Sequence, residues 1–310
     1  MTEGRTRTRM KVLAGLVAFM FAALTTRLWF LQVLATDQFA DAAAQNQLRL
    51  VRIAPLRGEI LDRSGKVLVD NRLSTIVVID RSNQDYQANK DAVLFRLSQV
   101  LHVSVPDLLD RLNSRKYLPY QPIPVAEDVS KDAVFYIKEH AWLFPGVDYE
   151  LGSVRDYPNG SLAAHLLGYV GEVSDQQLKE PAFRNERPGD IVGQAGVEAE
   201  YEPYLHGRPG IRAIQVNAQG RVLDADFNQG AQPPKPGDNV VLSIDLGIQE
   251  LAERSLDAGI KLARHTIDAT SGQSLKATGG SIMVMDPHSG RVLAMASNPT
   301  YDPSIFTGGL

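Results

Sequence analysis

The chain has 310 residues, 44% of them hydrophobic and 22% charged, with a net charge of −4 and a pI near 5.9. That is the make-up of a folded protein with room for about two domains, and with no basic run outside the N-terminus it argues against a nucleic-acid partner. The lack of cysteine removes disulfides, thiol catalysis and cysteine-ligated metal.

Arg5, Arg7, Arg9 and Lys11 precede VLAGLVAFMFAALTTRLWFLQVLA, Val12 to Ala35. As a helix this stretch would cover about 36 Å, enough for a hydrocarbon core of roughly 30 Å. The cations hold the N-terminus on the cytoplasmic side. The segment is therefore expected to be an uncleaved single-pass anchor in an inner membrane, with residues 1–11 as a cytoplasmic tail and the bulk of the chain outside. A cleaved signal peptide would have a shorter apolar region and a small-residue cleavage site; a buried soluble helix is the other alternative. Arg27 and Trp29 lie late in the span. Arg27 is read as snorkelling to the outer interface beside Trp29, with a polar contact to another membrane helix as the alternative.

The Ala-rich TDQFADAAAQNQL is expected to prolong the helix. LRLVRIAP, GEILD, KVLVDN and STIVVID then read as short strands around turns such as Arg63-Ser64-Gly65. From Asn89 to Leu112 the pattern is helical, with Pro106 opening a second helix. Ser130 can cap a helix carrying Val134, Phe135 and Ile137, and Ser174 with Gln177 forms an S-x-x-Q capping box. DRSGKVL, NAQGRVL and DPHSGRVL share an Asp or Asn, a Gly, a cation and Val-Leu. Their irregular spacing fits common hairpin-turn chemistry better than an internal repeat. The Pro- and Gly-dense DFNQGAQPPKPGDN, Asp226 to Asn239, marks the expected domain boundary near residue 230.

Beyond it, a strand leads to a helix capped by Asp245 that places Ile248, Leu251, Ala252, Ser255, Leu256 and Gly259 on one side. That helix should cover the hairpin in GGSIMVMDPHSGRVLAMASNP, Gly279 to Pro299. The two strands are apolar on both faces, and Asp286, Pro287 and Gly290 supply the turn. One helix cannot cover two faces, so the chain is expected to be a piece of a longer protein.

No G-x-S-x-G, H-E-x-x-H or phosphate-cradling loop occurs, and no Ser has a Lys three residues on. KATGG, Lys276 to Gly280, has an Ala inserted into K-T-G and is read as a loop. No cofactor and no metal are expected.

RLWFLQV, RGEILDRSGKVLVDN, YPNGSLAAHLLGYVGEVSDQQL, GQAGVEAEYEPYLHGRPG, VNAQGRV, LSIDLGIQELAE and GGSIMVMDPHSGRVLAMASNPTYDPSIF occur in this order. In these blocks the chain resembles the class B penicillin-binding proteins. The GYVGEVSDQQL…GDIVGQAGVEAEYE arrangement favours the elongation-type branch over the division-type. The resemblance implies an α+β chain: a transmembrane helix (12–35), a mixed α/β pedestal or dimerisation-type domain (36–230), and the first helix and β-hairpin of a truncated, serine β-lactamase-like transpeptidase domain (231–310). It also implies a D,D-transpeptidase acting on peptidoglycan stem peptides by acyl transfer. The S-x-x-K, S-x-N and K-T-G motifs would lie beyond Leu310, so no catalytic residue is expected here and this chain alone should be inactive. The implied partners are a SEDS-family glycan polymerase and a rod-shape scaffold protein.

Arg57, Gly58, Asp62, Arg63 and Gly65 match the family's R-G-x-I-x-D-R-x-G block. The glycines are expected to give backbone freedom, and Arg57, Asp62 and Arg63 an ion-pair cluster bracing the pedestal; packing alone and direct partner contact both remain open. A second reading is a non-catalytic, membrane-anchored protein that binds and regulates the polymerase.

Overall fold

A computed structural model describes residues 3–30, 32, 48–114, 117, 121–216, 222–267 and 272–307. Helix α1 (Glu3–Trp29) has an apolar part from Leu13 onward, and its large side chains, Phe19, Phe21 and Leu24 among them, are exposed. Among the described residues no single helix is long and apolar enough to cross a membrane. The expected span ends outside the described residues, as does most of the Ala-rich stretch after it.

The chain continues through β1 (Leu48–Ile53), β2 (Ile60–Leu61), β3 (Val67–Ile79), α2 (Gln84–Ala88), α3 (Lys90–Leu101), α4 (Val105–Asn113), β4 (Ile123–Ala126), α5 (Lys131–Glu139) and β5 (Val147–Asp156). Then come α6 (Ala164–Leu167), β6 (Val170–Glu172), β7 (Ile191–Gly193), α7 (Gly196–Glu200), α8 (Glu202–Leu205), β8 (Gly210–Val216), β9 (Val222–Gln232) and β10 (Val240–Val241). Helix α9 (Leu246–His265) and the strands β11 (Gly280–Met285) and β12 (Val292–Asn298) complete it.

Strand β3 is the spine. It runs antiparallel to β5 from Asp70 to Ile79, to β2 at its start and to β4 at its end, while β10 joins β2 in parallel. KVLVDN and STIVVID, expected as two strands, are thus one of 13 residues. The polar break at its middle has a structural use. Asn71 Nδ2 donates to Arg57 O at 2.6 Å, and its Oδ1 accepts from Arg155 Nη1 at 3.2 Å.

A second sheet has the order β1-β8-β9. The stretch expected as a domain boundary begins inside β9, which tolerates its Gly and Asn by slipping register against β8 in three places. The irregular part starts only after Gln232, where the prolines cluster. The turn at 217–221, one of the three similar ones, lies outside the described residues.

Apolar side chains gather in three cores. Leu94 and Leu97 of α3 and Leu108 and Leu112 of α4 pack on Val77, Ile79 and Ile123. Ser104 and Ser130 cap α4 and α5 by accepting from Asp107 N and Ala133 N at 3.3 Å each, and Pro106 sits in the first turn of α4. Ile60, Leu68, Val69, Leu167, Val197 and Leu205 form the second core. In the third, Ala252, Leu256 and Ile260 of α9 cover Ala294 and Ala296, with Ile282 and Val284 half-buried. The buried side of α9 is Gln249, Ala252, Leu256 and Ile260; Leu251, expected inward, is exposed because the face is rotated by about one residue. The hairpin forms as expected, and Met283 and Met285 on its other face are more than half exposed. The Ser174–Gln177 box also forms, with Ser174 N to Gln177 Oε1 at 2.9 Å and Gln177 N to Ser174 Oγ at 3.2 Å. It opens only a single 3-10 turn, since Pro181 stops an α-helix from continuing.

Candidate functional site

The R-G-x-I-x-D-R-x-G block joins the two pedestal sheets to α9. Its two glycines do different work. A Cβ on Gly58 would lie 2.0 Å from Asp238 O, so that position needs a bare backbone, whose N–H donates to Leu205 O at 2.8 Å. Gly65 has open space around it but a φ of +84°, the turn conformation L residues avoid. Asp62, 1% exposed, is wrapped by donors. Its Oδ1 accepts from Ser64 N and Ser64 Oγ at 2.7 Å and from Lys66 N at 2.9 Å, and its Oδ2 from Leu246 N at 3.3 Å. Burial pushes the Asp62 carboxyl up, but the bonds from Ser64, Lys66 and Leu246 outweigh it and hold the pKa at about 2. Arg63 is exposed and contributes its backbone N–H, which donates to Ile244 O at 2.9 Å.

The expected cluster of Arg57, Asp62 and Arg63 therefore does not form. The turn curls Asp62 onto its own backbone, and Arg57 points to other carboxylates. Arg57 Nε lies 2.6 Å from Glu198 Oε2, and Arg57 Nη2 lies 2.6 Å from Glu202 Oε2. Arg155 Nε takes the other Glu198 oxygen at 2.7 Å. Glu198 is 0% exposed, so two guanidiniums share one fully buried carboxylate. Glu202 also accepts from Gly193 N at 2.8 Å, and its Oε1 meets His206 Nδ1 at 2.9 Å. The far side of that imidazole, Nε2, faces Glu186 Oε2 at 3.4 Å. Burial lowers the Arg57 pKa, but Glu198 and Glu202 raise it further than burial lowers it. Burial raises that of Glu202, and His206 and Arg57 bring it below its ordinary value.

Arg155, Glu198, Glu202 and His206 are the residues that sequence reasoning missed. A signal was present: 198, 202 and 206 are spaced to share one side of a helix.

Beside this ionic core opens a cleft of about 360 Å³. Arg52, Arg57, Arg155 and His206 line it together with Glu127, Glu172, Asp190 and Phe306. Phe306 stacks on Tyr169, ring centres 4.1 Å apart, and Tyr301 OH donates to Ala164 O at 3.3 Å, so the segment after β12 is fastened to the pedestal. A buried amide strengthens that joint. Gln249 pairs with both backbone groups of Met295 and donates to Glu253 Oε1, which also accepts from Ala163 N at 2.7 Å. On α1, Arg27 shares a shallow concavity with Phe19, Ala22, Ala23, Thr26 and Phe30, and Trp29 is exposed. The charged groups of the core pair across elements, Arg57 and Arg155 on Glu198 and Arg57 on Glu202, an arrangement that holds those elements in register.

The family model for the penicillin-binding protein dimerisation domain matches residues 52–242. A peptidoglycan D,D-transpeptidase MrdA from Acinetobacter baumannii is 30% identical over 306 residues, 98% of this chain and 42% of that protein. Among solved structures, a complex between penicillin-binding protein (PBP2) and MreC from Helicobacter pylori superposes with a TM-score of 0.64 at 26% identity, covering 85% of this chain and 45% of that one. A peptidoglycan synthase complex that coordinates polymerisation and crosslinking gives a TM-score of 0.55 at 31% identity, over 96% and 48% of the two chains. The chain spans less than half the length of the relatives it matches. With that family model covering most of the described pedestal, from within β1 to just past β10, the chain belongs to the penicillin-binding proteins and carries their dimerisation domain.

Proposed function

We propose that the chain is the anchor, the pedestal and the first elements of the transpeptidase domain of an elongation-type, membrane-bound peptidoglycan D,D-transpeptidase. The enzyme would cross-link stem peptides by acyl transfer through a Ser that lies beyond residue 310. The observation that carries this reading is the alignment of nearly the whole chain with a D,D-transpeptidase of more than twice its length. The hairpin with one face covered by α9 and the other exposed fits a domain that continues. The pedestal would then be the platform for a scaffold protein and for a SEDS-family glycan polymerase, in keeping with the MreC complex and the synthase complex among its structural relatives. Arg57, Gly58, Asp62, Arg63 and Gly65 would brace that platform, and α1 with Arg27 and Trp29 would anchor it in the inner membrane with the N-terminus cytoplasmic.

A second reading, a membrane-anchored protein that regulates the polymerase without chemistry of its own, draws on the absence of Ser-x-x-Lys from the sequence. The coding sequence after Leu310 separates the two: an S-x-x-K there supports the enzyme, a stop codon the regulator. The purified chain itself should take no covalent label from a fluorescent penicillin. Stoichiometric labelling that survives denaturation would place the nucleophile inside residues 1–310 and overturn the assignment.

A further inference from the structure

Between β6 and β7 the chain makes a strap, residues 174–190. Its base continues the β6–β7 pairing, with Val173 N donating to Asp190 O at 2.9 Å. Near its start Gln177 Nε2 donates to Gln194 Oε1 at 3.2 Å, and farther along the strap meets the pedestal at Arg52 and His206. Arg52 Nη1 reaches Asn185 O at 3.2 Å and Asp190 Oδ2 at 3.1 Å, and Glu186 Oε2 meets His206 Nε2 at 3.4 Å. Gly189 and Asp190, at the end of the strap, line the cleft with His206, so the strap adjoins the cleft through that end.

His206 has a carboxylate against each ring nitrogen. An imidazolium can donate to both; a neutral imidazole has one N–H and can donate to only one. The two carboxylates are not equally dependent on it. Glu202 is also held by Arg57 Nη2 and Gly193 N. Glu186 Oε2 is buried and makes no hydrogen bond; its 3.4 Å approach to Nε2 is an ion pair that needs the ring protonated, and its other close carboxyl neighbour is Asp190. When the ring is neutral its single proton therefore belongs on Nδ1, toward Glu202. The Glu186 contact then needs a second proton, held on Nε2 or on Oε2.

We propose that the strap is a proton-operated latch on the cleft. One proton between His206 and Glu186 holds residues 181–188 down, and its loss sets a lone pair against a carboxylate and lets them lift about the Arg52 tether. The charged groups facing the pair are Glu202 and Arg57 beside His206, and Asp190 and Arg52 beside Glu186. The bond to Glu202 holds His206 above the ordinary imidazole range, with burial opposing and Glu186 adding to the rise. Burial likewise pushes Glu186 up, with His206 opposing. Because the folded value is raised, the latch is fully closed below the ordinary imidazole range and is lost as pH rises through the raised one.

The test uses the whole chain in detergent. Amide-exchange protection of residues 181–188, corrected for intrinsic rates, is followed from about pH 6 to about pH 9 alongside the ¹⁵N shifts of the His206 ring. Protection should fall about tenfold as the ring titrates, while the β3–β5 pairing stays protected. Glu186→Gln should remove the dependence and leave the strap closed, since an amide can accept from an imidazolium and donate to a neutral ring. Flat protection in the parent while His206 titrates would overturn the latch. So would the same fall in Glu186→Gln, or a loss spread evenly over the pedestal.

Discussion

Glu198 shows how much one buried carboxylate can carry: each oxygen holds a different guanidinium, and both of those arginine side chains are almost fully buried. Removing one side of a buried pair costs about 3–5 kcal/mol, because the partner charge stays buried. Glu198→Gln should therefore lower unfolding stability in urea by that order. Breaking the exposed Lys138–Asp148 pair, 2.9 Å apart, should cost under about 1 kcal/mol. Equal effects would mean that the core is wet. Asp62→Ala should cost about 2–4 kcal/mol, as it strands the N–H groups of Ser64, Lys66 and Leu246. The sign of its pH dependence follows from the depressed folded value. The contribution is whole above about pH 4, the unfolded value, and is lost as pH falls towards about 2. Acid titration of stability should show a shallower decline in Asp62→Ala than in the parent. The two glycines of the same block part ways under substitution. Gly65→Ala meets only the turn conformation and should cost about 1 kcal/mol, whereas Gly58→Ala must displace Asp238 O and should cost several times more in the same urea titration.

Of the three cores, the one under α9 and its hairpin is the smallest. The third core holds only small side chains on β12, Ala294 and Ala296, against three residues of one helix, while β3 is paired on both edges over part of its length. Amides in β11 and β12 should exchange faster than those of β3 from Asp70 to Ile79. Leu256→Ala should speed the hairpin further at a cost of about 2–3 kcal/mol; slow exchange in both regions would mean that the exposed methionine face is covered after all. Much of this element was legible in advance, because apolar runs around an Asp-Gly turn and an Asp cap state their structure locally. The caps at Ser104 and Ser130 were legible for the same reason. What was not legible depends on distant partners. Asp70 and Asn71 look like a strand break until Arg57 and Arg155 are seen beside them. The inward side of α9 includes Gln249, polar yet 0% exposed, because Met295 offers it a backbone donor and acceptor. Arg57 was expected to pair with Asp62 and Arg63, but its partners stand 141 and more residues away, beyond the reach of any local pattern.

Taken as a whole molecule, the anchored-enzyme proposal fixes which parts should meet a protease. Added to spheroplasts, protease should digest the chain beyond residue 47 while a tag before Arg5 survives; protection of the pedestal would reverse the proposed orientation. The pairing of β2 with β10 has another consequence, in time. Glu59 and Asn239, which meet beside that pair, are 180 residues apart, and Asp62 waits a little longer for Leu246. At ribosomal speeds of about 5–20 residues per second, about 10–40 s separate the making of the two edges. Throughout that interval β2 has an open edge, and Arg57 waits for Glu198 almost as long. The pedestal therefore cannot be completed stepwise as the chain emerges, and needs the chain kept unaggregated until residue 246 is free. Ribosome-stalled chains ending before and after that point should differ sharply in protease resistance at residues 57–66.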